Sequence, residues 1–442
     1  MAAVLEFRAA PAPEPAALEA SRREVQLSRL LMTFISLGLG FMLLPGTFLG
    51  VWNLISISSR QAAETVAPAW IQAHGHAQIF GWIGSFILGI GFYSLPKLLR
   101  GRPFPLWRAW TCAALWSAGV GLRWITNVYS WQWRLLLPLS AVLEMAAFLI
   151  FFRAVAGHRP ATEDEDNDGT LEPWIWAVVA GTCGLLLALV VNLTACIYLA
   201  DRGSGPAFPH GFDERYLVLI TWGFLVPFVW GFSARWLPVF LGLRSLRPRA
   251  LFAAVALNSA GVAVALAGRM LPATLLLLFG AVAALHAVRV FAPAERPAKV
   301  RGVHRSFPLF VRSAYVWLLI AGALGVAAAD SSDAAGLWGA SRHALTVGFF
   351  AMMVFGIGQR ILPAFSGMLH LFCTRLMFAS MLLLTLGCAL RVSSEALAYR
   401  GIVHSAWSWL PVSAVIELTA VTVFAANLWI TFSRPAPPVA CG

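Results

Sequence analysis

The chain reads as an all-α polytopic membrane protein: about 12 transmembrane helices in three pseudo-symmetric four-helix arcs, with both termini cytoplasmic. Three observations predict this. The composition is 59% hydrophobic and only 12% charged, with mean hydropathy +0.76, outside the range of soluble domains. Apolar runs of about twenty residues, long enough to cross roughly 30 Å of hydrocarbon, recur along the whole length. A landmark pattern also occurs three times. His76-Ala-Gln-Ile-Phe-Gly81 runs on through Gly89 and Gly91 to Pro96, and His343-Ala-Leu-Thr-Val-Gly348 runs on through Gly356 and Gly358 to Pro363 at the same offsets. A middle copy keeps Gly223, Gly231 and Pro238 but carries Val218 where the histidine would stand.

The apolar windows place helices at 29–49, 74–96, 107–126, 134–153, 173–196, 216–240, 250–268, 271–291, 312–329, 343–363, 376–393 and 408–432. The stretch 250–291 is split at Gly268-Arg269, with Pro272 just beyond, because forty apolar residues exceed one crossing. The repeats fall on helices 2, 6 and 10, so the unit is four helices: 29–153, 173–291 and 312–432, flanked by tails 1–28 and 433–442. The Ala/Pro/Glu composition of residues 9–19 reads as disordered, and the acidic run Glu163 to Asp168 as a solvated connection. Arginine placement sets the orientation. Arg22, Arg23, Arg29, Lys97, Arg100, Arg102, Arg108, Arg244, Arg247, Arg249, Arg296, Lys299, Arg301, Arg305 and Arg312 fall on one side, whereas the opposite loops hold one or two basic residues each. By the positive-inside rule the richer side is cytoplasmic. The net charge of +12 is thereby topological, and no nucleic-acid partner is expected, since no basic domain gathers it.

Further correspondences support the repeat. Arg108, Arg249 and Arg375 open the helix after each motif. Pro138-Leu-Ser-Ala-Val-Leu-Glu144 matches Pro411-Val-Ser-Ala-Val-Ile-Glu417, and Arg123 matches Arg391. The middle counterpart of the two glutamates, around Ala281 to Phe291, lacks a carboxylate but has His286 nearby. Ionisable residues inside a bilayer are costly and mark functional candidates. The matched histidines of a threefold repeat therefore point to one metal centre held between two helices. Six cysteines, scattered and without a C-x-x-C-H run, exclude covalent haem attachment and a disulfide framework.

Twelve helices in three arcs, with histidines on helices 2 and 10, resemble subunit I of the haem-copper oxidase superfamily. Ala-His74-Gly-His76-Ala-Gln-Ile-Phe-Gly81 and Arg-His343-Ala-Leu-Thr-Val-Gly348 look most like the NnrS family, haem- and copper-containing membrane proteins linked to nitric oxide metabolism. The resemblance implies a non-covalent haem, b type expected, held by His76 and His343, with copper as a second candidate cofactor. It also implies a multi-pass protein of the bacterial inner membrane, serving nitric oxide response, detoxification or associated electron transfer. A small diatomic ligand and an electron donor would be its partners besides the lipid bilayer. The chain departs from the oxidases at Trp222-Gly-Phe-Leu-Val-Pro227 in helix 6, at Asn258 in helix 7 and at Ser341, where active-site ligands would stand. No standard oxygen- or nitric oxide-reducing centre is expected; any enzyme activity would be oxidoreduction of nitric oxide or a related small species.

Each candidate residue also has a plainer reading. His76 and His343 are haem ligands or polar residues at helix ends, and His74 is an alternative haem ligand or a copper ligand, because i and i+2 point to different helix faces. His210 and His404, in outer loops, are further copper donors or ordinary loop residues. Arg123, Arg391 and Arg342 are candidates for haem propionates, against snorkelling to headgroups. Glu144, Glu417 and His286 are intramembrane polar groups that relay protons or fasten neighbouring helices. Trp107, Trp110, Trp116, Trp124, Trp131 and Trp133 read as interfacial belts, and the motif glycines as points of close approach. A twelve-helix secondary transporter working through Glu144, Glu417 and His286 is the rival function. A metal or haem insertion factor using the histidines transiently is a third.

Overall fold

The computed structural model describes residues 15–98, 104–156, 172–299, 302–331, 334–368 and 370–434. The expected acidic connection, the first fourteen residues of the N-terminal tail and the last eight residues of the chain lie outside these. Among the described residues the secondary structure is entirely helical. Twelve long helices follow one another: α1 (Leu18–Arg60), α2 (Pro68–Leu98), α3 (Leu106–Tyr129), α4 (Trp133–Ala156), α5 (Pro173–Arg202), α6 (His210–Leu241), α7 (Pro248–Leu266), α8 (Met270–Val288), α9 (Phe307–Asp330), α10 (Gly336–Phe365), α11 (Thr374–Tyr399) and α12 (Ala406–Phe432). Eleven are long and apolar enough to cross a membrane. The twelfth, α3, is less apolar but packs between α2 and α4.

Local chemistry explains the boundaries. Prolines occupy the first turn of α2, α5, α7 and α9, where the missing N–H costs nothing. The repeat prolines Pro96, Pro238 and Pro363 each sit two or three residues before their helix ends. The split of the 250–291 stretch holds: α7 stops at Leu266, and Gly268 turns the chain with φ +82°, a left-handed conformation that glycine adopts freely. The first helix differs from expectation. Its helical backbone starts at Pro15 and continues to Arg60, so residues 15–28, expected in the tail, are helical. Leu27, Leu30 and Leu31 fasten this part to the core.

Helices adjacent in sequence are adjacent in the packing. In each unit the first helix lies against the second and the third against the fourth, and the fourth meets the first helix of the next unit. α12 returns to α1, so the bundle closes into a ring. The helices that carry the repeat are its innermost: 78, 72 and 67% of the central windows of α2, α6 and α10 are buried, against 33–50% in the other eight candidate spans.

Those same three helices share a backbone feature that the pattern does not announce. Directly after His76, Val218 and His343 the α-helix widens into a π-helical stretch, Ala77–Gly84, Leu219–Leu225 and Ala344–Ala351. A fourth, Met42–Phe48, interrupts α1 around Pro45. The widened turns offer carbonyls to side chains. Trp116 Nε1 donates to Phe80 O at 3.0 Å, and Asn258 Nδ2 donates to Trp222 O at 2.7 Å from the corresponding place in the next unit. Trp116 is thus fully buried and is no belt residue, whereas Trp107, Trp110 and Trp131 are exposed as expected.

A very close backbone approach joins α5 to α6, where a Cβ placed on Gly184 would lie 2.0 Å from Gly223 O. Gly184→Ala should therefore cost about 1–3 kcal/mol through overpacking. Gly121→Ala, with nothing within 4 Å of the added carbon, should be neutral or stabilising by up to about 1 kcal/mol. Thermal unfolding in detergent reads the difference; equal midpoints for the two variants would refute the contact.

Candidate functional site

Burial of charge in apolar surroundings is tolerated only with a partner, and the chain meets that requirement at two separate clusters. In the first arc His76 Nε2 and Glu144 Oε1 are joined by a 2.7 Å hydrogen bond, with the Glu144 side chain completely buried. The His76 ring stacks on Phe80 at 4.5 Å. Arg123 is buried on α3, donates from Nη1 to Cys196 Sγ at 2.8 Å, and lies over the Phe208 ring at 4.6 Å.

The third arc holds the related set. His343 Nδ1 is 3.0 Å from Gly339 O and 3.0 Å from Glu395 Oε2. Its Nε2 faces Arg391 Nη2 at 3.5 Å, and Arg391 Nε pairs with Glu395 Oε2 at the same distance. Glu417 is half-buried beside them, its enclosed Oε1 without a hydrogen-bond partner, within electrostatic range of His343, Arg391 and Glu395. Burial of Arg123 and Arg391 excludes snorkelling. It also places Arg391 on Glu395 and Arg123 on Cys196, with Arg391 Nε held only by the 3.5 Å ion pair and Nη1 left unpartnered.

Packing fixes the register between the arcs. A Cβ on Gly119 would meet Glu144 Cγ at 2.8 Å; on Gly387, Glu417 Cγ at 2.7 Å; on Gly261, Leu277 Cδ2 at 2.8 Å. The middle counterpart of the glutamates is thus Leu277, not the 281–291 segment. One turn after the glycine, Arg123 and Arg391 correspond to Ala265. Histidine, arginine and glutamate are replaced together in the middle arc by Val218, Ala265 and Leu277. His286 is no mid-membrane group: it is exposed in the last turn of α8 beside Arg247.

The expected pairing of His76 with His343 gives way to a different arrangement. His76 turns to Glu144, and it is His74 that lies in electrostatic range of His343 and Arg391. Two residues apart, the side chains diverge by roughly 200° around the helix. His74 faces α1, where the π-helical turn at Pro45 presents consecutive carbonyls. Gly46 O lies 2.8 Å from His74 Nδ1, and Pro45 O accepts from Trp124 Nε1 at 3.2 Å. Gly50 makes room for the imidazole, since a Cβ there would sit 2.7 Å from its Cε1. A carbonyl can only accept, so His74 Nδ1 carries the proton and its Nε2 keeps a lone pair. The Gly339 carbonyl imposes the same tautomer on His343.

The remaining candidates are dispersed. His210 is almost fully exposed, 3.8 Å from Glu214. His404 lies in the α11–α12 connection with its Nε2 3.3 Å from Gln61 Nε2. Arg342 is exposed and lines a cleft of about 40 Å³ with Glu214, Trp222 and Ser341. Among the described residues no three His, Cys, Asp or Glu side chains group as a metal site, so the expected copper donors are not assembled. Donors suited to haem are present: two imidazoles within electrostatic range of each other, each with Nδ1 on a backbone carbonyl, and an unpartnered guanidinium N–H. Sequence reasoning missed Glu395, Cys196 and Tyr216. Glu395 had a signal, standing four residues after Arg391 on one helix face, where the first arc has Asn127.

Comparison with known proteins agrees with this architecture. Residues of this chain align over 93% of its length, and over 85% of the other chain, with a haem-copper terminal oxidase dimer solved by cryo-electron microscopy, at TM-score 0.56 and 11% identity. That likeness is one of fold. No curated protein matches the chain. The family model described as NnrS protein matches residues 26–436, nearly the whole of the twelve-helix ring, and the chain belongs to the NnrS family.

Proposed function

We propose that this multi-pass membrane protein binds one low-spin haem through His74 and His343, and that it serves nitric oxide response or detoxification, or the electron transfer associated with it, in the bacterial inner membrane. The observation that carries the ligand choice is the tautomer. Both imidazoles give Nδ1–H to a backbone carbonyl, Gly46 O and Gly339 O, which is how ligating histidines are held. His76, by contrast, spends Nε2 on Glu144. Arg391 would meet a propionate with its unpartnered Nη1. Glu395, beside His343 Nδ1, would make that ring a stronger donor. The bound haem would supply one-electron chemistry, and, held by two histidines, would take a diatomic ligand only on release of one of them. Copper remains a second proposed cofactor, with no donor set to name for it.

A transporter reading has less support. Glu144 and Glu417 belong to separate clusters in different arcs, each beside a histidine, and His286 stands exposed at a helix end.

The test is a reduced-minus-oxidised spectrum of the purified protein. His74→Ala and His343→Ala should each abolish the sharp α band. His76→Gln, which keeps a donor for Glu144, should retain it. Loss of the band in His76→Gln with retention in His74→Ala would assign the ligand to His76. No band in wild type from haem-replete cells would overturn the haem reading.

Glu395→Gln tests the role of the carboxylate. Removing a negative charge beside the ligand disfavours the ferric state, so the haem midpoint potential should rise, on the order of tens of millivolts. An unchanged potential in redox titration would separate Glu395 from the ligand.

A further inference from the structure

The first-arc cluster takes no part in the proposed haem site, yet it concentrates buried polar atoms that the protein leaves unpaired. Glu144 Oε2, Arg123 Nε, Asn192 Nδ2 and the Tyr216 hydroxyl are all buried and lack a hydrogen-bond partner. They belong to one neighbourhood. Arg123 reaches Cys196, whose thiol is 3.6 Å from Asn192 Oδ1. Tyr216 lies in electrostatic range of Glu144, Arg123 and Cys196. Orphaned polar atoms are costly if dry, and native interiors rarely leave such groups unsatisfied.

The complement of groups selects the ligand. Arg123 and Asn192 offer donors, Glu144 offers an acceptor, and the tyrosine hydroxyl serves as either. Water matches that mixture, since it accepts from two groups and donates to two and typically makes about three bonds when buried. A carboxylate at the same place disfavours a free anion.

The cluster also has a cover. The Phe208 ring lies on the Arg123 guanidinium at 4.6 Å and edge-on to Tyr216 at 5.6 Å. Its backbone is gripped by one side chain of α2: Gln72 Nε2 donates to Phe208 O at 3.0 Å, and Phe208 N donates to Gln72 Oε1 at 2.8 Å. Phe208 belongs to the connection between α5 and α6, at the end of the bundle where both His74 and His76 lie.

We propose that the first arc encloses a chamber of ordered water, bounded by Glu144, Arg123, Asn192 and Tyr216 and closed by Phe208. The middle arc supports this from the opposite side. There the same glycine frame carries the buried apolar side chains Val218, Ala265 and Leu277. The inference is independent of the haem.

Radiolytic hydroxyl labelling of the full-length protein tests it, because buried side chains beside bound water label promptly while dry ones do not. After correction for intrinsic reactivity and for its slightly greater exposure, Tyr216 should label several-fold faster than the buried Phe349 and Phe350. The triple variant His76→Val/Arg123→Ala/Glu144→Leu copies the middle arc and should reduce Tyr216 labelling to their level. Phe208→Ala, which leaves the polar groups intact, should speed exchange of the chamber with solvent and raise Tyr216 labelling further. Tyr216 labelling no faster than Phe349 in wild type would overturn the chamber. So would unchanged labelling in a triple variant with native helicity. Unchanged labelling in Phe208→Ala would overturn the cover.

Discussion

A carboxylate or guanidinium inside an apolar bundle must have an opposite charge or a strong hydrogen bond within reach, and most of what is distinctive in this protein follows from that constraint. Of the three related arcs, two carry histidine, arginine and glutamate at matching positions, and one carries valine, alanine and leucine. The replacement is complete in the middle arc. A partial one would strand a charge, and removing one partner of a buried pair costs about 3–5 kcal/mol. The three positions therefore behave as one unit, and their joint presence in the first and third arcs is more telling than any of the residues alone.

The two polar arcs have diverged in how they use the set. In the first, His76 and Glu144 satisfy each other and Arg123 turns to Cys196 and Phe208. In the third, a further carboxylate, Glu395, takes the arginine and approaches His343 Nδ1, and Glu417 is left without that partner. The asymmetry leaves His343 Nε2 facing only the Arg391 Nη2 donor at 3.5 Å, whereas His76 Nε2 is bound to Glu144 at 2.7 Å. A single difference, Asn127 against Glu395 at corresponding positions, accounts for much of this divergence.

The helix count and the special status of α2, α6 and α10 were legible in the sequence, because apolar length and glycine-proline spacing report them directly. The split near Gly268 was legible for the same reason. Side-chain direction was not. His74 and His76 were recognised as diverging, but the repeat aligned His76 with His343 and so favoured the residue that turns away. Repeat alignment reports common descent and backbone register, while the present partner depends on neighbours such as Gly46 and Glu395. The π-helical stretches add a second obstacle. Each widened turn shifts the helical register by about one residue, roughly 100°, so a wheel drawn for a regular α-helix misplaces every side chain beyond it. Trp116, on the regular helix α3, shows a related obstacle: a tryptophan in an apolar helix reads as a belt residue until the carbonyl it serves on a neighbouring widened turn, Phe80 O, is located.

Helix α1 completes the argument for His74. Its π-helical turn lies outside the threefold pattern, which begins on α2, and no histidine marks it. Yet that turn provides the Pro45 and Gly46 carbonyls, which accept from Trp124 of α3 and His74 of α2, while Thr47 accepts from Gln78. α1 is thus fastened to two neighbouring helices of its own arc and, through α12, to the third. The position of His74 relative to His343 is set by a helix that carries neither residue. A substitution at Gly46 or Gly50 would act on the candidate site without touching a ligand, by moving the carbonyl that fixes the imidazole tautomer or by closing the space beside its ring.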